Sequence, residues 1–408
     1  MKTIDKLKYV LFYSLSFLGF IGYYFILTIL LNGSEYSTSK FTSLSLALSL
    51  NICLISLFFI CKKRIKIDLN AQLFIFYSII YLIRILLDTL NNRHYYISTG
   101  QVFVMFLLFM VTPFIVTKSI RISLEYFDIV RKAIIFGSLL FVVIALVYYK
   151  NQIGSVGRIG NLGNNDSVSS LSFSYSGALA IGVGITFMIN NKILLKNRIY
   201  IISVIGLSTI LFFLGSSRGA LVALLVTFLF IPLSKKGLTN RLGLLLIGGL
   251  LILGIIFISN YYHSNLMARV LGTNSAIEHN GSSAARLPMW KDAFSQFVDN
   301  PIIGDQLGVK RFGYFYPHNI FFESLLTTGI LGFVPLFWLM INGIKKAIKI
   351  VRSAPQYSWL SIVFIQSFIQ AMFSSVTYQA FWLWLSFGLL LAFPIPQKRI
   401  EVRELKSK

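Results

Sequence analysis

Residues 317–340 read PHNIFFESLLTTGILGFVPLFWLM, and this stretch decides the class of the fold. From Ile320 to Met340 the only charged side chain is Glu323, close to the start. Crossing the ~30 Å hydrocarbon core of a bilayer takes about 20 such residues. Pro317-His318-Asn319 sets an imidazole at the mouth of that segment, and an ionisable group at a membrane edge is a functional candidate by default.

Working outward, the pattern recurs. The 408 residues are 56% hydrophobic and 12% charged, with a mean hydropathy of +0.75. No soluble interior of this size could hide so much apolar surface, so lipid must be the solvent. Apolar stretches fall at 9–31, 41–61, 71–90, 101–117, 133–149, 167–189, 199–214, 219–233, 242–259, 319–342, 357–373 and 376–394. They predict an all-α polytopic membrane protein of about 12 transmembrane helices, forming one integral domain over 1–408.

Lysine and arginine collect in cytoplasmic loops. With the N-terminus inside, most of the 37 Lys and Arg fall in inner segments, and both termini are cytoplasmic. The net charge of +23 is then accounted for by an anionic leaflet, and nucleic acid is not needed as a partner. The first apolar run follows Lys2, Lys6 and Lys8 but has no Ala-x-Ala site, so it reads as an uncleaved span. Cys53 and Cys61 give neither a disulfide framework nor a metal site.

Two outer connections are long, 150–166 and 260–317, the second a large loop before the tenth span. Loops of that length in a compact bundle usually carry function. Within the larger loop, Leu287, Trp290, Phe294 and Phe297 recur at helical spacing, with Lys291, Asp292 and Gln296 between them. They predict a short amphipathic helix lying on the membrane surface or capping the bundle.

Arg158, Arg218, Arg286 and His318 all fall on the outer side. Arg218 could snorkel to lipid headgroups. Yet it sits in a tight turn, Gly215-Ser216-Ser217-Arg218-Gly219, where short outer loops normally avoid positive charge, and an anion on that face explains it better. His318 could be a plain interfacial histidine. Arg84 and Asp88, four residues apart in the third span, read as a structural ion pair.

An outer site has no ATP or nucleotide sugar to draw on. A polyprenyl diphosphate carrying a glycan suits it, with the tail in the bilayer and the diphosphate at headgroup depth. No Asp-x-Asp pair is present in the outer loops to hold a metal, and no cofactor is implied. Arginine forks onto phosphate oxygens and stays protonated, so Arg218 and Arg286, then Arg158, are the diphosphate-binding candidates. His318 is the candidate proton acceptor for the incoming hydroxyl, with Glu323 in reserve.

Three strings, in order, resemble bacterial O-antigen polymerases and O-antigen ligases. They are Ser217-Arg218-Gly219, then Ala285-Arg286-Leu287-Pro288-Met289-Trp290-Lys291-Asp292-Ala293 with Asn300-Pro301-Ile302-Ile303-Gly304, then Pro317-His318-Asn319 with Gly329 and Gly332. The likeness covers about 205–345. It implies a C-type, inverting, metal-independent glycosyltransferase in a bacterial cytoplasmic membrane, its active site outside. The family's essential arginines fall on Arg218 and Arg286 and its histidine on His318, with Ser217, Trp290 and Asn319 in supporting places.

The implied donor is an undecaprenyl-diphosphate-linked oligosaccharide. The acceptor is a lipid-linked repeat for a polymerase or lipid A-core for a ligase, with membrane lipids and a chain-length regulator as further partners. Pro317 to Phe321 followed by Glu323 is more similar to the polymerases. Three rivals stand beside this reading: a lipid-linked oligosaccharide flippase, a peptidoglycan-type polymerase with an essential outer carboxylate, and a non-enzymatic scaffold.

Overall fold

The structure is a computed structural model and describes residues 3–31, 36–62, 67–93, 95, 97–149, 169–235, 237–261 and 286–395. Arg158, with the whole stretch 150–166, lies outside the described residues, as does 262–285 of the larger loop.

The regular elements among the described residues are helices. We number them α1 (Thr3–Leu18), α2 (Ile21–Leu31), α3 (Tyr36–Ile60), α4 (Leu69–Leu90), α5 (Thr99–Met105), α6 (Thr112–Ser119), α7 (Leu124–Tyr149) and α8 (Ser170–Asn190). They continue with α9 (Leu195–Gly215), α10 (Arg218–Phe230), α11 (Leu238–Tyr261), α12 (Arg286–Asp299), α13 (Ile320–Ser353), α14 (Ser358–Ser374) and α15 (Phe381–Ala392).

Helix covers each predicted apolar stretch, but the expected count of about 12 crossings is not reached. Length and composition qualify 7 helices among the described residues, or 8 if α1 and α2, which meet at 72°, make one broken span. The 12 residues of α15, for example, rise only about 18 Å, well short of the hydrocarbon core.

Side-chain caps fix where helices start. Asp68 accepts from the Ala71 N–H at 3.0 Å to open α4, and Ser98 with Gln101 forms a reciprocal capping box on α5. Between α5 and α6 the chain widens into a π-turn at Phe106–Val111, just ahead of Pro113, which has no N–H to continue an α ladder. Small residues set the closest approach. α8 carries Ser174, Gly177, Ala178 and Gly184, and a Cβ on Gly177 would run into the α9 backbone at Ser208 and Phe212. Lipid offers no hydrophobic drive between helices, so such backbone contact is what joins them.

The quoted stretch contains the largest departure from expectation. α13 is broken at Gly329, whose φ of +62° and ψ of −161° are open to glycine and to few other residues. Backbone groups freed in a membrane must be satisfied by protein. Here the segment 301–305 enters the break: Ile330 N–H donates to the Pro301 carbonyl at 2.9 Å, Leu331 N–H to Ile302 at 3.2 Å, and Asp305 N–H to Leu326 at 2.7 Å.

Arg84 completes that repair. Its guanidinium donates to the carbonyls of Thr327 (2.9 Å), Asp305 (2.7 Å), Ile303 (2.8 Å) and Gly304 (2.8 Å). The expected pair with Asp88 exists at 3.6 Å but is the minor part of its environment. Asp88, fully buried, instead accepts from Tyr95 Oη (2.6 Å), the Leu307 N–H (3.0 Å) and Arg93 (3.2 Å). Both side chains tie α4 to the loop that precedes His318.

Candidate active site

Arg218 and His318 stand where helices begin, and Arg286 lies on α12. Arg218 is the first residue of α10, and His318 immediately precedes Asn319, the N-cap of α13. Helix N-termini carry unpaired N–H groups and the positive end of the macrodipole, and they favour anions. A cation there is unfavourable for stability, so Arg218 at the start of α10 points to a negative ligand.

The turn that carries Arg218 is built residue by residue. Gly215 ends α9 against the backbone of α8, where a Cβ would meet the Ser170 carbonyl and Ser174 N. Ser216 turns left-handed at φ +46°. Ser217 then caps α10 through Ala220 N–H at 3.4 Å, and its own N–H donates to Ser174 Oγ at 3.1 Å. Gly219 is required by Tyr175, whose hydroxyl occupies the place a Cβ would take. That hydroxyl pairs with Ser374 Oγ at 3.0 Å.

The segment with His318 is held from both sides. Trp290 of α12 donates its indole N–H to the Pro317 carbonyl at 2.7 Å and stacks on Phe322 at 5.4 Å between centroids. Asn319 Oδ1 accepts from the N–H groups of Phe321 (2.9 Å) and Phe322 (3.2 Å). His318 itself is left-handed at φ +56°, a conformation few non-glycine residues adopt outside constrained sites. It is therefore not on the helix, and an angular offset from Glu323 around α13 does not describe it. Its ring lies 4.7 Å from that of Tyr316 and 5.3 Å from that of Phe315.

Arg286 lies within electrostatic reach of the other two. The charge of Arg218 acts on Arg286, and that of Arg286 acts on His318. Burial, then the Arg286 charge, holds the His318 imidazole down to about 4. Arg286 is lowered too, first by burial, with Arg218 adding to it. Arg218 Nε, Arg286 Nε and His318 Nδ1 are all buried without a hydrogen-bond partner among the described residues, although buried polar groups are ordinarily paired. Two donors and one imidazole nitrogen thus share a positive, partly desolvated place suited to an anion with several acceptor oxygens.

Glu323 does not join them. It is fully buried in α13, and its carboxylate accepts from Tyr81 Oη at 2.5 Å and from the Thr377 hydroxyl. On α12, Met289, Ala293 and Gln296 are buried against the protein, whereas Leu287 and Phe294 are 74% and 48% exposed. Tyr175 and Tyr316, whose hydroxyls act on Arg286, escaped the sequence reading. Tyr316, two residues from His318, was the findable one; Tyr175 lies in a Ser- and Gly-rich span with nothing to mark it. Among the described residues no three His, Cys, Asp or Glu side chains gather as a metal site would require.

No curated protein matches the chain. Residues 201–337, which run from α9 through the broken half of α13 and include Arg218, Arg286 and His318, match the family model described as O-antigen ligase. With its apolar helices long enough to span a membrane, the chain is similar over this segment to the O-antigen polymerase and ligase superfamily.

Proposed function

We propose that the protein is an O-antigen or capsular polysaccharide polymerase, moving an undecaprenyl-diphosphate-linked glycan onto a lipid-linked repeat unit at the outer face of the cytoplasmic membrane. The observation that carries this reading is that Arg286 lies within electrostatic reach of both Arg218 and His318, each of the three having a buried nitrogen with no partner among the described residues. Arg218 and Arg286 would grip the departing diphosphate, whose charge grows as the glycosidic bond breaks. His318 would take the acceptor hydroxyl's proton as the new bond forms, with inversion at the sugar carbon and no metal in the step. Arg158 would reach the same diphosphate from the outer stretch 150–166. The orientation has independent support: Lys8, Lys62, Arg121 and Lys132, all assigned to the inner side by charge, line one common pocket.

An imidazole near 4 is neutral at physiological pH and free to accept a proton, though a weak base. Binding of a diphosphate would offset the Arg286 charge and raise its proton affinity when the substrate arrives. The sign is plain: the base form of the free enzyme is lost only as pH falls through about 4. With purified protein and lipid-linked substrates, kcat/KM should hold down to pH about 5, whereas an ordinary histidine base, near pKa ~6.5, would already be mostly protonated there. An acid limb centred near pH ~6.5 would remove His318 from the role.

The family description favours a second reading, ligation of the glycan to lipid A-core. Deleting the gene and running surface polysaccharide on a gel separates the two. A single repeat left on the core, without a ladder, is the expected outcome. Loss of every attached repeat with lipid-linked polymer accumulating would make it a ligase, and an unchanged ladder would end both readings.

A further inference from the structure

From Ser374 to Tyr378, where α14 gives way to α15, the chain touches both sides of the site. Ser374 Oγ pairs with Tyr175 Oη at 3.0 Å. Tyr175 in turn stands where a Cβ on Gly219 would lie and acts electrostatically on Arg286. At the other end Tyr378 and Tyr316 line one narrow gap, and the Tyr316 ring packs edge-on against His318. Between these ends Thr377 is fully buried, and its carbonyl accepts from Trp384 Nε1 at 2.9 Å. Its remaining polar groups go to Glu323, whose carboxylate accepts from the Thr377 hydroxyl, the Thr377 N–H and Tyr81 Oη. Tyr77 Oη reaches the same threonine hydroxyl at 3.4 Å. Tyr77, Tyr81 and Arg84 follow at i, i+4 and i+7 along one face of α4, so the helix that Arg84 ties to the loop before His318 also backs this clamp.

We propose, resting on the functional reading above, that Glu323 is a positioning residue for glycan transfer. It fixes the segment 374–378, which braces Arg286 through Tyr175 and His318 through Tyr378 and Tyr316. One Glu323 oxygen is taken by Tyr81 and the other by Thr377, so the carboxylate acts through the segment and does not receive the acceptor's proton. An apolar residue of the same size could fill the space but would set no direction, whereas hydrogen bonds to a carboxylate are short and directional. Transfer is sensitive to such direction: a misplacement of about 1 Å at a reacting group costs about 10²-fold in rate. Loosening the clamp should therefore appear in kcat and not only in stability.

The test uses the full chain in detergent with lipid-linked donor and acceptor, each variant assayed per folded molecule after size-exclusion chromatography. Thr377→Val keeps the branched shape and removes only the hydroxyl. Its kcat should fall about 10- to 100-fold, with both KM values within a few-fold of wild type. Thr377→Ser keeps the hydroxyl and should restore most of the rate. Glu323→Ala should lose at least as much as Thr377→Val, and the double variant no more than Glu323→Ala alone, because partners in one interaction are not additive. Glu323→Gln retains an acceptor oxygen and should lose no more than a few-fold. A Glu323→Gln protein as inactive as Glu323→Ala would make the carboxylate part of the chemistry and overturn the assignment. Wild-type kcat in Thr377→Val, or full additivity in the double variant, would overturn it too. Should Glu323→Ala fail to fold, Thr377→Val against Thr377→Ser still decides. Wild-type rate in Thr377→Val beside an inactive Arg218→Ala sinks the positioning role alone, whereas full transfer by Arg218→Ala sinks the functional reading itself.

Discussion

Replacing Arg218 and Arg286 by alanine should each lower glycan transfer by about 10²- to 10³-fold, and together should leave none measurable. Each guanidinium is a preorganised donor aimed at charge that develops on the leaving diphosphate, and removing one such donor typically costs that much. The structural cost should be small. Both Nε atoms are buried without partners, and each arginine raises the electrostatic cost of its neighbour. Alanine removes a like-charge interaction and, at Arg218, a cation from an unfavourable helix end, so the melting temperature of the purified variants should equal or exceed that of the wild type. Arg286→Lys should fall between, since an ammonium keeps the charge and loses the planar fork. Purified enzyme with lipid-linked donor and acceptor, read beside a thermal melt, checks all of this. Normal polymer from the double variant would dismiss the diphosphate role.

Arg84→Leu should instead damage the fold. The side chain it removes satisfies four carbonyls at the break in α13 and the loop entering it, and leaves Asp88 short of one cation. Taking one partner out of a buried charged network costs about 3–5 kcal/mol. That is a large part of the roughly 5–15 kcal/mol that holds a typical domain together. A lower melting temperature and protease cleavage between Pro301 and Leu307 are the expected signs. Arg84→Lys should recover only part of the loss, because three donors on one nitrogen cannot span four divergent carbonyls. Wild-type melting in Arg84→Leu would mean that water or backbone rearrangement repairs the break instead. Lost transfer in this variant should follow from lost folded protein, whereas Arg218→Ala should lose transfer with the fold intact.

These two arginine positions also mark how far the chain could be read without its structure. Arg218 was legible because a charge in a short turn between apolar spans contradicts the usual distribution of basic residues. Arg84 was legible only as half of an i, i+4 pair, since nothing nearby in sequence announces carbonyls of a loop more than 200 residues away. Glu323 shows the same limit in reverse. It stood in reserve as a proton acceptor, but it is buried in α13, where Tyr81 and Thr377 donate to its carboxylate.

Hydrophobic run lengths, the placement of lysine and arginine, and the short strings around Arg218, Arg286 and His318 were enough by themselves to point to a helical membrane protein similar to this superfamily. Solvent chemistry acts on each segment separately, so it leaves its mark in the linear order. The break in α13, its repair by Arg84 and the nearness of Arg286 to Arg218 and His318 were decided only in three dimensions. Each depends on which backbone groups and charges lie next to one another after packing, and such neighbours are not encoded by any local pattern.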